Sequence, residues 1–167
     1  NLEYLPHKIC VMDERAKKEM LMEGFDTKIL EVTGNPYFEF FMGKVDKELE
    51  DISTIIFASQ PYVEKREEVG YDEFEVLSDL TDLAGNIMPW AKVVIRPHPK
   101  EDGRKFEKYL AANIAVDDQS TIEDLISKAG LIVGMNSMVL FQAALVGKKV
   151  ISYQPNLKTK DYSISSD

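Results

Sequence analysis

The sequence contains few of the residues that bind metal ions or form disulfides. Its 167 residues include one cysteine, Cys10, and two histidines, His7 and His98. A single cysteine excludes a disulfide within the chain, and its place in the apolar run 9–12 predicts a small core residue and a reducing, cytoplasmic environment. Because no His, Cys and Asp residues share the spacing of a zinc site, we expect neither a metal nor a cofactor.

A long apolar segment and a basic cluster are also absent from the sequence. No run approaches the ~18 apolar residues that span a membrane, so no transmembrane segment is predicted. Acidic residues outnumber basic residues by 29 to 20, which gives a formal charge of −9. This charge repels nucleic-acid backbones and anionic membranes, so we expect no nucleic-acid partner. The first residue is Asn rather than Met, which favours a piece of a longer protein.

The sequence does contain short apolar runs that alternate with amphipathic segments. This alternation predicts an α/β fold with a Rossmann-like, doubly wound parallel sheet of about five strands behind a partial strand–helix–strand unit. The predicted strands cover residues 8–12, 28–32, 54–58, 93–96, 113–116, 131–133 and 150–153. The predicted helices cover residues 13–24, 72–84, 103–112, 120–128 and 137–146. Gly85 and Asn86 are expected to end the second helix, and Trp90 is expected in the core.

The pattern also suggests where one domain ends and the next begins. Residues 1–36 hold the partial strand–helix–strand unit, and residues 37–51, which mix aromatic and charged side chains, are predicted to form a linker or a crossing segment. Residues 52–155 carry the regular strand and helix pattern of the Rossmann-like domain. Residues 156–167 are predicted to be a polar tail.

Ligands of parallel sheets bind beyond the carboxyl ends of the strands, and the loop Arg96-Pro97-His98-Pro99 follows one of these strands. Each proline biases the residue before it toward extended backbone, so Arg96 and His98 have little freedom to lose when they bind. A cationic side chain and an imidazole held in this way suit a phosphate. The alternative is a proline pair that ends the strand beside an incidental histidine.

A second candidate is the turn Gly134-Met135-Asn136-Ser137, which follows the strand 131–133. Gly134 permits a tight turn, and Asn136 is a favoured helix N-cap, so the first amides of the next helix would face the crevice as an anion site. The sequence has neither a G-x-G-x-x-G fingerprint nor a phosphate loop that ends in G-K-[ST]. The turn can therefore equally be a capped helix start without a ligand.

The helix after this turn, residues 138–146, is apolar nearly all round and is predicted to be buried. Gln142 is its single polar residue and needs a hydrogen-bond partner. A neighbouring backbone group can serve, and so can a ligand hydroxyl at the crevice.

Taken together, these segments resemble the superfamily of GT-B-fold glycosyltransferases and UDP-N-acetylglucosamine 2-epimerases, which includes capsule-type and glycerophosphate-transferring relatives. The resemblance covers nearly the whole chain in order. It rests on the stretches VTGNP at 32–36, IIFASQ at 55–60, RPHP at 96–99, LIVGMNS at 131–137 and AALVGKKVI at 143–151.

The resemblance implies a nucleotide-sugar site in a C-terminal domain that begins after the crossing segment. His98 would act as the catalytic residue at the donor phosphates, and position 142 would meet the ribose. The binding residues implied are Ser59, Arg96, Gly134, Asn136, Ser137, Met138 and Gln142. Residues 1–36 would be the end of an N-terminal domain, and the missing remainder of that domain would be the partner that holds the acceptor site.

Two departures from the family pattern affect the functional hypothesis. The family usually has Glu where this chain has Gln142, which weakens bonding to ribose hydroxyls. The Asn136-Ser137-Met138 turn replaces the Ser-Gly-Gly turn of the epimerases, and this favours the transferase branch.

The leading hypothesis is therefore the nucleotide-sugar-binding half of a GT-B-type glycosyltransferase of cell-surface polysaccharide synthesis, inactive by itself and without a metal. One alternative is an enzyme like UDP-N-acetylglucosamine 2-epimerase. The other is a non-catalytic Rossmann-like binding or assembly module.

Overall fold

The computed structural model describes residues 4–45 and 52–159. The chain divides into two compact units, residues 1–43 and residues 44–167. The second part of the predicted linker, residues 46–51, and the end of the predicted polar tail, residues 160–167, lie outside the described residues.

The first unit is a small strand–helix–strand motif followed by a helix. Its elements are β1 (Ile9–Val11), α1 (Glu14–Met22), β2 (Leu30–Val32) and α2 (Pro36–Met42), and β1 pairs with β2 in parallel. The Asp13 side chain caps α1 by accepting the amide of Ala16 at 2.7 Å, so the helix begins where the sequence predicts a helix over 13–24. Asn35 caps α2 in the same way and accepts the amide of Tyr37, so that α2 occupies the first part of the predicted crossing segment.

The prediction that Cys10 is a core residue is wrong, because its side chain is exposed. Side chains alternate between the two faces of a strand, and Cys10 is the middle residue of β1. It therefore lies on the opposite face from the buried Val11. An apolar run of this length does not show which of its residues face the core.

The second unit is a five-stranded parallel sheet with helices. Its strands are β3 (Thr54–Ala58), β4 (Lys92–Arg96), β5 (Ile114–Val116), β6 (Leu131–Gly134) and β7 (Val150–Ser152). Its helices are α3 (Arg66–Val69), α4 (Glu73–Ile87), α5 (Ile122–Lys128) and α6 (Met138–Leu145), with 3-10 turns at Val63–Lys65 and Gly103–Tyr109. The predicted Rossmann-like parallel sheet is confirmed.

The order of the strands, β5-β4-β3-β6-β7, shows where the winding of the sheet reverses. The chain builds outward from β3 to β4 and β5, then returns to the other side of β3 to add β6 and β7. The reversal lies between β3 and β6, where Ala58 pairs with Gly134 at the carboxyl ends of the strands. In doubly wound sheets this switch point is where ligands bind.

The core of this unit lies between the sheet and α4. Ile55, Phe57, Val93 and Ile95 point to one side of the central strands and are almost fully buried. They pack against the apolar face of α4, formed by Val76, Leu77, Leu80 and Ala84. The continuous apolar character of β3 and β4 follows from helices on both faces of the sheet.

The structure corrects several sequence predictions about this unit. Helix α4 continues past Gly85 and Asn86 to Ile87, because burial of Ala84 against the sheet outweighs the weak helix preference of exposed residues. Residues 103–109 form a 3-10 turn rather than an α-helix, in which Phe106 alone is buried. Trp90 is 69% exposed, and the neighbouring Ala91 occupies the core instead.

Helix α6 is buried on one side only, which corrects the prediction of a helix that is buried all round. Leu140, Gln142 and Ala143 face the protein, whereas Met138 and Leu145 are exposed. In the described ranges, no helix is long and apolar enough to cross a membrane.

Candidate functional site

The residues after β3 and β6 meet closely at the switch point. A Cβ atom on Gly134 would lie 3.1 Å from the carbonyl oxygen of Ala58, a contact tighter than ordinary van der Waals distance. Glycine at this position therefore allows the two strand ends to approach each other. This agrees with the sequence argument for a tight turn, although the reason is space and not a positive φ angle.

Asn136 joins the turn after β6 to the loop after β3. Its backbone amide donates to Gln60 Oε1 at 3.0 Å, and its Oδ1 accepts from Gln60 Nε2 at 2.9 Å. The Tyr62 hydroxyl donates to the same Oδ1 at 2.7 Å. We call these three residues the amide lock. Asn136 is therefore not the N-cap of α6, because its side chain is already used across the switch point.

Ser137 is the N-cap of α6, and its Oγ accepts the amide of Val139 at 3.2 Å. In the described ranges, the backbone amides of Ser137 and Met138 have no hydrogen-bond acceptor. They lie at the positive end of the α6 dipole, which favours an anion by ~0.3–1 kcal/mol. Two amides and a helix terminus can donate to the oxygens of a phosphate.

The loop Arg96-Pro97-His98-Pro99, which we call the histidine loop, is held by a buried proline and by a local hydrogen bond. Pro97 is buried, and the amide of Lys100 donates to His98 Nδ1 at 3.2 Å. An imidazole nitrogen that accepts a hydrogen bond carries no proton, so the proton of the neutral ring lies on Nε2. Nε2 has no partner in the described part of the chain, so it is the donor that His98 offers to a ligand.

Arg96 points toward β5, which lies on the far side of β4 from the switch point. Its Nη1 donates to the carbonyl oxygen of Asp117, which follows β5, at 3.1 Å. Hydrogen bonds from the Ser120 side chain and backbone lower the pKa of the Asp117 carboxyl, with a smaller contribution from the charge of Arg96. Arg96 therefore orders the loop after β5, next to the histidine loop.

Ser59 is an internal residue, 3% exposed, that links the loops after β3 and β4. Its amide donates to the carbonyl oxygen of Arg96 at 2.9 Å, and its Oγ donates to Glu101 Oε1 at 3.1 Å. Across the described ranges, no hydrogen bond joins the histidine loop directly to the turn after β6. Two adjacent residues connect them: Ser59 bonds to Arg96 in the histidine loop, and Gln60 bonds to Asn136 in the turn after β6.

A buried charged cluster beside the histidine loop was not predicted from the sequence. Glu73, at the start of α4, accepts the amides of Tyr62 at 2.8 Å and Val63 at 3.0 Å, and it also accepts from Lys105 Nζ. Lys105 donates in addition to Glu101 Oε1 at 2.5 Å. We call Glu73, Lys105 and Glu101 the charge triad.

Both carboxylates of the triad are almost completely buried, with side chains 1% exposed at Glu73 and 2% at Glu101. Burial lowers the pKa of Lys105, but hydrogen bonds to Glu101 and Glu73 outweigh this effect and raise it above the usual lysine value. The rings of Phe74 and Phe106 lie about 5 Å from the ammonium and add cation–π attraction.

The sequence pattern does not reveal the triad, because Glu73 lies 32 residues before Lys105. One signal was available in the sequence: Glu101 and Lys105 are four residues apart, the spacing of an ion pair on one turn of helix. The triad also forms one wall of an open cavity of about 520 Å³, together with Pro61, Glu64 and Lys100.

Gln142 lies on the inner face of α6 and is 7% exposed. Every buried side-chain nitrogen and oxygen atom in the described residues has a hydrogen-bond partner. The role at a ribose stays a prediction, and little of the amide is open to a ligand. Within the described ranges, no group of three His, Cys, Asp or Glu side chains is arranged to hold a metal ion.

No family model matches the sequence. No curated protein matches it either. Solved structures do match it in fold. The beta Kdo 2,4 transferase KpsC of Thermosulfurimonas dismutans aligns with a TM-score of 0.51 and 16% identity, over 72% of this chain and 46% of that chain. TarM aligns with a TM-score of 0.51 and 16% identity, over 93% of this chain and 32% of that chain.

The beta Kdo 2,7 transferase KpsC of the same organism aligns with a TM-score of 0.46 and 20% identity, over 82% of this chain and 45% of that chain. The two matches at 0.51 show the fold alone: this chain has a Rossmann-like parallel sheet with the architecture of one half of the GT-B fold. The chain spans less than half the length of each of these structures. The predicted likeness to GT-B-fold enzymes is confirmed at the level of the fold.

Proposed function

We propose that this chain is the donor-binding half of a GT-B-type glycosyltransferase of cell-surface polysaccharide synthesis. The observation that carries the proposal is the switch point, where the amides of Ser137 and Met138 and the Nε2–H of His98 are available as donors at one edge of the sheet. The fold shared with transferases supports the proposal.

The spacing of the strands favours a ligand larger than one phosphate. Strands β4 and β6 lie on either side of β3, so their ends are about 10 Å apart at a spacing of about 4.8 Å per strand. A ligand that contacts both the histidine loop and the turn after β6 must extend across this gap. A nucleotide sugar, with its phosphates next to a sugar ring, has this length.

In the whole enzyme, displacement at the anomeric carbon of the donor would release a nucleotide. His98 and the first amides of α6 would stabilise the negative charge that develops on the leaving phosphate, which needs no metal. The acceptor site would lie in the rest of the N-terminal domain. This chain alone would bind the donor in the cytoplasm without turning it over.

A binding panel tests the proposal. Calorimetry and thermal unfolding with CMP, CDP, UDP, GDP and UDP-N-acetylglucosamine should reveal at least one ligand, and a ligand at 100 times its dissociation constant should add about 2.7 kcal/mol of stability. The His98→Ala variant should lose most of this effect. The matched control is His7→Ala, which removes the other histidine from an exposed position in the first unit.

Two results would contradict the proposal. One is that no nucleotide in the panel raises the melting temperature of the chain, and this result would favour a binding or assembly module without a nucleotide. The other is that His98→Ala binds as well as His7→Ala. Inorganic phosphate should bind more weakly than the nucleotides, because it cannot span the two loops.

A further inference from the structure

The charge triad has a structural relation to His98 that the proposed binding role does not require. Glu101 Oε2 accepts the backbone amide of His98 at 2.6 Å, while its Oε1 accepts from Ser59 Oγ and Lys105 Nζ. One buried carboxylate therefore holds three donors, which come from the loop after β3, the histidine loop and the turn 103–109.

We propose that Glu101 is the positioning residue of His98, and that Lys105 and Glu73 hold its carboxylate in place. The proposal rests on the proposed function in one respect: orientation of the imidazole matters for binding only if the crevice takes a phosphate.

Local hydrogen bonds fix the position of His98. The hydrogen bond from the His98 amide to Glu101 closes a loop of four residues, and inside this loop the Lys100 amide reaches His98 Nδ1. A second backbone bond, from the Glu101 amide to the His98 carbonyl oxygen at 2.8 Å, closes the same loop. Together these bonds place Nδ1 on the Lys100 amide and leave Nε2 as the donor.

The buried Glu101 carboxylate also depends on an opposite charge. A carboxylate that is 2% exposed needs compensation for its lost hydration, and a single neutral donor does not supply it. Lys105 provides the opposite charge, and Glu73 holds Lys105 from the other side while it binds two amides at 62 and 63. The triad thus ties the histidine loop to the loop that carries the amide lock.

An amide cannot replace the Glu101 carboxylate. Glu101→Gln keeps the shape of the side chain but offers one acceptor oxygen where three donors converge. Either the His98 amide or the pair Ser59 and Lys105 must then face an NH₂ group. The matched control is Asp102→Asn, the same change one residue along the chain, where the side chain is exposed and bonded to Arg104.

The experiment has two readouts on the 167-residue chain. The first is ¹⁵N NMR of the imidazoles without any ligand, in which the exposed His7 is the internal reference. His98 in the parent should show the tautomer protonated on Nε2, and in Glu101→Gln its shifts should move toward the average seen for His7. Asp102→Asn should match the parent.

The second readout is the dissociation constant for CDP and UDP. Glu101→Gln should weaken binding by about tenfold, the size expected when the support of a ligand-contacting side chain is removed. Lys105→Met serves as a second variant if Glu101→Gln does not fold, and it should shift the His98 signals in the same direction. Asp102→Asn should bind within about twofold of the parent.

The outcomes separate this inference from the proposed function. If His98 keeps its parent tautomer in both Glu101→Gln and Lys105→Met, the positioning role is wrong, even if nucleotides bind. If the tautomer changes but neither CDP nor UDP binds the parent, the positioning role stands and the proposed function fails for these nucleotides.

Discussion

The two loops at the switch point are held in place by different chemistry. The turn after β6 is fixed by neutral amide and hydroxyl groups, through Asn136, Gln60 and Tyr62. The histidine loop is fixed by buried charges, through Glu101 and Lys105. A neutral hydrogen bond contributes little net free energy to folding. A buried carboxylate, in contrast, strongly destabilises the folded protein as soon as one of its partners is removed.

This difference indicates how each loop can serve a phosphate ligand. A neutral lock next to the α6 terminus adds no negative charge where an anion would bind. The two carboxylates of the charge triad share one positive charge, that of Lys105, and they also accept backbone amides, so they repel an anion less than two free carboxylates would. Changes to the charged side of the site should therefore cost more stability than changes to the neutral side.

The largest effect is expected for Glu73→Ala. The change leaves the amides of Tyr62 and Val63 without their acceptor and removes one of the two carboxylates on Lys105. The free energy of unfolding in urea should fall by about 3–5 kcal/mol. Glu64→Ala, an exposed neighbour, should stay within about 0.5 kcal/mol of the parent. Equal losses in the two variants would show that the triad does not carry this stability.

Substitutions at Asn136 should have an intermediate effect on stability. They should also distinguish the role of the amide lock in folding from the role of the turn after β6 in ligand binding. Asn136→Ala removes the acceptor of Gln60 and Tyr62 and should cost about 1–3 kcal/mol in urea unfolding. Asn136→Asp keeps an acceptor oxygen in place and should cost less. Its added charge should nevertheless weaken nucleotide binding by about tenfold in calorimetry. If Asn136→Asp binds nucleotides as the parent does, the turn after β6 is not a phosphate site.

The smallest effect is expected at Asp117, beside Arg96. Hydrogen bonds from Ser120 lower the pKa of this carboxyl in the folded state below its usual value of 3.8. A lowered folded-state pKa gives stability that is present above the unfolded value and is lost as the pH falls through the folded value. The difference in unfolding free energy between the parent and Asp117→Asn should be below about 1 kcal/mol at pH 7 and should shrink below pH ~4.

Urea unfolding at pH 7 and pH 3 measures this difference directly. Ser120→Ala should reproduce part of the loss at pH 7, because it removes the hydroxyl that bonds Asp117 Oδ2 at 2.7 Å. If the parent and Asp117→Asn differ in unfolding free energy by the same amount at both pH values, the Asp117 carboxylate does not supply this stability.

Local rules predicted well where one segment determines its own structure. The alternation of apolar runs and helices predicted the parallel sheet, and Asp13 and Asp72 start helices as their sequence context indicates. Local rules failed where a distant segment competes for a side chain. Asn136 has the features of an N-cap, but Gln60, 76 residues earlier, takes its carboxamide, and Ser137 caps the helix instead.

The same reason explains what was missing from the predicted site. His98 and Ser137 could be proposed from the sequence because their prolines and their turn are adjacent to them. Glu73 and Gln60 bear no local mark of function, since each becomes significant only through partners that are distant in the sequence. Glu101 offered one local signal, its four-residue spacing to Lys105.

The sequence by itself determined the fold class and the loops that follow the carboxyl ends of the strands. It could do so because strand periodicity, proline restriction and glycine turns are properties of short segments. Only the tertiary structure decided which side chains hold those loops. Hydrogen bonds between residues 59 and 101, 60 and 136, and 73 and 105 depend on how β3, β4 and β6 lie side by side. That proximity is created by the sheet as a whole.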